Sequence, residues 1–111
     1  MYNAKTAHPT QNIEAMSVAG VLAPGLARLL TEVGFLAIDQ KDWPRAHQIF
    51  SVLKEFRSES EFPYVGLVLI ELLQSRFEAA AAEVAQGLVK VPESRALIEL
   101  LDIVLQNGAS A

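Results

Sequence analysis

The segment DWPRAHQIF occupies residues 42–50, and a related segment, RFEAAAAEV, occupies residues 76–84. Their alignment gives three equivalent pairs at the same 34-residue step: Trp43 and Phe77, Ala46 and Ala80, and Phe50 and Val84. A small residue at the middle position lets two helix axes approach closely, where a larger side chain would hold them apart. The duplication therefore predicts a packed structural unit that occurs twice.

The same step relates the residues that precede each segment. Two series follow it: Leu30, Tyr64 and Ile98, and Val33, Leu67 and Leu101. A helix pair that recurs with a 34-residue period is typical of stacked helical hairpins. We therefore predict an all-α fold of two full helical-hairpin repeats, with an additional N-terminal helix and a C-terminal capping helix.

The paired residues have distinct expected roles in such hairpins. Trp43 and Phe77 would close the entrance of each hairpin, and the alanines would lie where its helices cross. Phe50 and Val84 would fill the seam with the neighbouring unit. Because Trp43 has a counterpart in Phe77, we interpret it as a core residue rather than a binding hot spot.

Periodicity and capping signals set the expected helix limits. Apolar residues recur at three- and four-residue steps over residues 26–40. A second helix is expected after Asp42, whose side chain can cap it, with Pro44 in the first turn. Ser58 with Glu61 has the spacing of a capping box and predicts a third helix over about 61–74.

The same spacing recurs at the next helix. Ser75 with Glu78 predicts another capping box, before a fourth helix that runs to about Val89. The last helix is expected to begin near Glu93 or Ser94 and to stop at Asn107-Gly108.

The N-terminal part of the chain has a different composition. Residues 1–11 are polar and contain Pro9, so we expect a flexible tail. Residues 12–107 would form a single helical-repeat domain, which begins with a short amphipathic helix over residues 12–21.

Composition narrows the class of partner. Hydrophobic residues make up 51% of the chain and charged residues 20%, which predicts a compact fold with an apolar surface. The formal net charge of -4 gives no reason to expect nucleic acid or a membrane as a partner. The chain has no cysteine, and its first residues lack a secretory signal pattern, so we expect a cytoplasmic protein.

The chain offers little chemistry for catalysis. Its two histidines, His8 and His47, have no carboxylate–histidine–nucleophile spacing around them, and its carboxylates are dispersed. Isolated glycines exclude a phosphate-binding loop. We expect no enzyme activity, no catalytic residue, no metal site and no cofactor.

Over residues 26–106 the repeats resemble tetratricopeptide repeats. The residues that carry the resemblance are Gly34, Ala46 and Phe50 in the first unit and Tyr64, Leu67, Ala80 and Pro92 in the second. Departures occur at Leu30, Ser58, Val68 and Glu71, where an aromatic residue, a proline, a small residue and an aromatic residue are usual.

The resemblance implies a concave face lined by the first helix of each pair. It would contain six apolar side chains, the groove residues: Phe35, Ile38, Val65, Leu69, Leu72 and Ile103. The segment GLVLIELL at 66–73 is apolar almost all round, so it needs a cover on both sides. That cover would be either the N-terminal segment of this chain or an amphipathic helix from another protein.

Length, acidity and the segment GFLAIDQKDWPRAHQIF also make the chain similar to chaperones of bacterial type III secretion, in particular the co-chaperone of the needle subunit. The resemblance implies a bacterial cytoplasmic protein that holds an amphipathic helix of the needle subunit, with a second small helical chaperone alongside. Alternatives are a generic adaptor, a self-associating scaffold or homodimer, and a chaperone of hydrophobic translocators.

Overall fold

The computed structural model describes residues 24–110, with side chains over residues 25–108. This part of the chain contains five helices and no strand: α1 (Pro24–Asp39), α2 (Trp43–Phe56), α3 (Phe62–Leu73), α4 (Phe77–Lys90) and α5 (Arg95–Ser110). The predicted tail over residues 1–11 and the predicted helix over residues 12–21 lie outside the described residues. None of the helices described is long and apolar enough to cross a membrane.

Each helix packs against the next, and alternate helices also touch. α1 pairs with α2 and α3 pairs with α4, while α3 also contacts α2, α1 and α5. The core has two clusters, one built from α1, α2 and α3 and the other from α3, α4 and α5. Because α3 takes part in both, the segment 66–73 is apolar on nearly all sides. The predicted all-α helical-repeat fold is confirmed.

The turns repeat together with the helices. Lys41 and Ser75, which are related by the 34-residue step, both have a φ angle of 61°. After each, an amide closes the turn by donating to a carbonyl in the last turn of the preceding helix: Asp42 to Ala37 (2.9 Å) and Arg76 to Glu71 (2.8 Å). The connections between hairpins also match, because Arg57 donates to Leu53 and Val91 donates to Gly87, both at 2.7 Å. The 34-residue unit is therefore a geometric repeat.

The predicted start of the second helix is confirmed. The Asp42 carboxylate accepts a hydrogen bond from the Arg45 amide (3.4 Å), and a proline occupies the first turn. Ser94 likewise precedes the first residue of α5, and its hydroxyl accepts from the Leu97 amide (3.1 Å) and donates to the carboxylate of Glu61. This second bond links the start of α5 to the start of α3.

Two predicted capping boxes are wrong. α3 and α4 follow Glu61 and Arg76, whose side chains form no capping hydrogen bond. Ser58 lies too far along the chain from the first residue of α3, Phe62, to cap it, and Ser75 adopts the left-handed turn conformation instead.

The predicted stop at Asn107-Gly108 is also wrong, since α5 continues to Ser110. The Asn107 side chain donates to the Ile103 carbonyl one turn back (2.8 Å), which supports a helical backbone there.

Phe50 lies at the seam between α1, α2 and α3. Its ring is fully buried, as are Ala46, Ala80 and Val84. A Cβ atom added to Gly66 would lie 2.5 Å from the ring, and one added to Gly34 would lie 2.7 Å from it. Such short carbon–carbon contacts essentially never occur. α1 and α3 can therefore approach this ring so closely only because Gly34 and Gly66 have no side chain.

We expect Gly66→Ala to lower the free energy of unfolding by about 1–3 kcal/mol, because the added methyl group overlaps the Phe50 ring. Urea titration followed by circular dichroism measures the change. Gly25→Ala is the matched control, since nothing lies within 4 Å of its Cβ position. Equal losses for both variants would contradict the proposed role of the seam.

We expect Lys41→Gly and Ser75→Gly each to raise the free energy of unfolding by about 0.5–1 kcal/mol, because glycine adopts positive φ without steric cost. Thermal unfolding checks the change. Gln40→Gly, one residue before the left-handed position, should instead be neutral or destabilising. If Gln40→Gly stabilised as much as Lys41→Gly, turn strain would not be the cause.

Candidate protein-binding surface

The groove residues all lie on the first helices of the repeat units. Phe35, Leu69 and Ile103 occupy equivalent positions on α1, α3 and α5, one residue per 34-residue step. Ile38 and Leu72 form a second equivalent pair. Such positions share one side of a regular helical stack.

The exposure of these side chains differs along the stack. Ile38 is only 8% exposed and belongs to the core, so it offers little surface to a partner. Ile103 is 45% exposed, and the other four groove residues are partly buried. The Phe35 ring meets the Phe50 ring edge-on, with 4.9 Å between centroids. On α1 and α3 the groove residues therefore lie at the edge of the core. Only on α5 does a groove residue form part of an open surface.

The structure divides the groove residues between the two core clusters. Phe35, Ile38 and Leu69 pack with the first cluster, and Val65 and Leu72 pack with the second. Since Leu69 contacts core residues, substitutions there change stability together with any binding.

Ile103 lines a shallow depression of about 540 Å³ on α5. Its other lining residues are Ile98, Glu99, Leu101, Asp102 and Leu105. Three of these are aliphatic and two are acidic. This combination suits an apolar side chain with a basic neighbour.

Several exposed apolar residues were missed as surface residues from the sequence alone. Leu29, Val33 and Leu36 on α1 are 54%, 37% and 53% exposed, although the sequence pattern assigns them to the apolar stripe of that helix. We call these three residues the α1 row. The sequence did carry a signal of this exposure. The 34-residue step aligns the α1 row with residues on the later first helices, and those residues need a preceding helix to cover them.

The basic residues Lys54 and Arg45 on α2 are held in ion pairs. Lys54 pairs with Glu83 at 2.8 Å and links α2 to α4, and Arg45 pairs with Asp42 at 3.2 Å. The Lys54 ammonium also lies 5.5 Å from the centre of the Tyr64 ring. Burial raises the pKa of Tyr64 above 10.0, Lys54 opposes this and Glu83 adds to it, so the phenol stays protonated near neutral pH. The pair of Lys54 with Glu83 therefore joins the two hairpins, whereas the pair of Arg45 with Asp42 lies at the start of α2.

Glu71 is a partly buried acid at the end of α3. One of its carboxylate oxygens, Oε1, has no hydrogen-bond partner in the described residues, and the nearest cation is Nη1 of Arg76 at 3.7 Å. The side chain lines a cleft of about 330 Å³ with Trp43 and His47.

His47 is exposed on α2, with its Nδ1 atom 3.3 Å from the Ser51 hydroxyl oxygen one turn away. Among residues 24–110, no three histidine, aspartate or glutamate side chains are placed to hold a metal ion. His8 lies outside the described residues.

Comparison of the chain with models of known protein families, with curated proteins and with solved structures gives no match. The assignment of repeat units therefore rests on the chain's own spacing, turns and burial.

Ile103 and Val104 are adjacent on α5 but differ in burial, which makes them a test of the described surface. We expect Ile103→Ser to change the melting temperature by no more than about 2 °C, whereas Val104→Ser should lower it by more than about 5 °C because it removes core packing. Differential scanning calorimetry measures both. Equal losses would show that Ile103 is covered by another part of the chain.

Proposed function

We propose that this protein is a non-enzymatic chaperone of a bacterial type III secretion system, which sequesters an amphipathic helix of the needle subunit. The observation that supports this most is the row of Phe35, Leu69 and Ile103. Each successive first helix keeps an apolar side chain at the same position, and these side chains are only partly buried or exposed. A helix laid across the stack would meet one apolar contact per repeat.

The mechanism in this proposal is competition for an apolar stripe. An amphipathic helix presents apolar residues at three- and four-residue steps along one side. When that side packs on the groove residues, the same residues are withheld from contacts between needle subunits, so premature polymerisation is prevented. Burial of the stripe must also offset the loss of translational freedom on association.

The negative charge of the protein favours a partner helix that carries basic residues. The chain carries a formal net charge of -4, and Glu99 and Asp102 flank the open end of the groove residues on α5. We infer a partner helix with lysine or arginine beside its apolar stripe, bound more weakly at high salt because exposed charges are screened. The same charge disfavours nucleic acid and anionic membranes as partners.

The binding test uses Ile103→Ser, because Ile103 is exposed and the variant should keep its fold. Titration calorimetry with a synthetic peptide of the terminal amphipathic helix of a needle subunit, encoded in the same genome, measures affinity. We expect about a tenfold loss of affinity, because an apolar contact of about 1–2 kcal/mol is removed.

Val89→Ser is the matched control for this experiment. Val89 is 79% exposed but lies on α4, a second helix of a pair, away from the groove residues. Its substitution should leave the affinity unchanged. The proposal is contradicted if the peptide does not bind the wild-type protein, or if the two variants lose affinity equally.

A further inference from the structure

Three rows of apolar residues occupy equivalent positions on the first helices. They are the α1 row itself, the row of Pro63, Leu67 and Ile70 on α3, and the row of Leu97, Leu101 and Val104 on α5. The α3 row is buried and its leucine and isoleucine share a cluster with α2, the helix that precedes it. The α5 row packs in the same way with α4. Each of these two rows is therefore the side of a first helix that receives the second helix of the preceding repeat.

The α1 row has the same position in its repeat but is exposed, because no helix precedes α1 in the described residues. We propose that residues 12–22 of this chain cover the α1 row and act there as the second helix of a truncated preceding repeat. The stack would then contain a further seam upstream of the seam at Phe50.

The sequence of this segment continues the 34-residue step. Met16-Ser17-Val18 stands one such step before Phe50-Ser51-Val52, and the serine and the valine are identical in both. Met16 thus corresponds to Phe50, which packs with Leu67 in the first cluster. An unbranched thioether side chain fills an irregular apolar seam well. By this equivalence, the proposal places Met16 against Val33.

The position of the segment in the chain favours it over a second copy of the protein. Residues 12–22 lead directly into α1, so their effective concentration at the α1 row is on the order of millimolar. Residues 12–19 would form the covering helix and residues 20–23 would form the connection to α1, which equals in length the connection between α4 and α5, residues 91–94.

This inference is independent of the proposed function, because the α1 row and the groove residues are different sides of α1. Phe35 points to the Phe50 ring, while Leu29, Val33 and Leu36 are exposed. Covering the α1 row leaves Leu69 and Ile103 available.

A cysteine pair tests the inference directly, since the natural chain has no cysteine. In full-length Met16→Cys/Val33→Cys, mild oxidation should give a disulfide within one molecule, seen as a monomer by non-reducing electrophoresis and mass spectrometry. Met16→Cys/Asp39→Cys is the control, because Asp39 lies on the same helix but outside the α1 row. We expect the disulfide of the first pair to form at least about tenfold faster than that of the control pair. Tethering alone acts on both pairs, so it would not give this difference.

The remaining outcomes overturn the inference. Disulfide-linked dimers of the first pair would assign the α1 row to a second copy of the chain. Equal rates for both pairs would mean that the segment has no fixed place on α1.

Hydrogen–deuterium exchange of the wild-type protein provides a second readout that needs no cysteine. Peptides within residues 12–22 should be protected from exchange, and Val33→Ser should remove this protection. Ile98→Ser, at an exposed apolar residue of α5, should not. Unprotected residues 12–22 in the wild type would also overturn the inference.

Discussion

The structure depends on the close approach of two glycine backbones to one aromatic ring. Phe50 reaches out of α2 between Gly34 on α1 and Gly66 on α3, and a methyl group on either glycine would overlap the ring. A large residue and two residues without side chains therefore act as a single packing unit. This unit brings two successive first helices onto the same side of α2, which is the arrangement that allows further helices to be stacked.

α3 belongs to the second hairpin and also packs against the first. It packs in both core clusters, and a hydrogen bond from Ser94 to Glu61 joins its start to the start of α5. The ion pair of Lys54 with Glu83 also spans the two hairpins. The groove residues on α3 also pack against the core, so a test of binding that leaves stability unchanged needs an exposed position such as Ile103.

A stack of helices has a lateral surface formed by several units and a terminal helix at each end, and these regions differ in what they can bind. The lateral surface, here called the long side, repeats one apolar position per unit, which suits an extended or helical segment lying across several units. The end at α1 repeats a position that elsewhere receives the preceding helix. Filling that end with residues 12–22 and the long side with a partner helix would assign the two apolar surfaces to different occupants.

The sequence alone determined the helical class, the 34-residue unit and the cap at Asp42, because these depend on spacing and on residues adjacent in the chain. It also placed the groove residues on the first helices. It could not determine that Ile38 is buried while Ile103 is exposed, nor that the α1 row lacks a covering helix among the described residues. Periodicity shows which residues share one side of a helix. Only the tertiary structure decides whether a neighbouring helix covers that side, because burial depends on contacts between segments far apart in the chain.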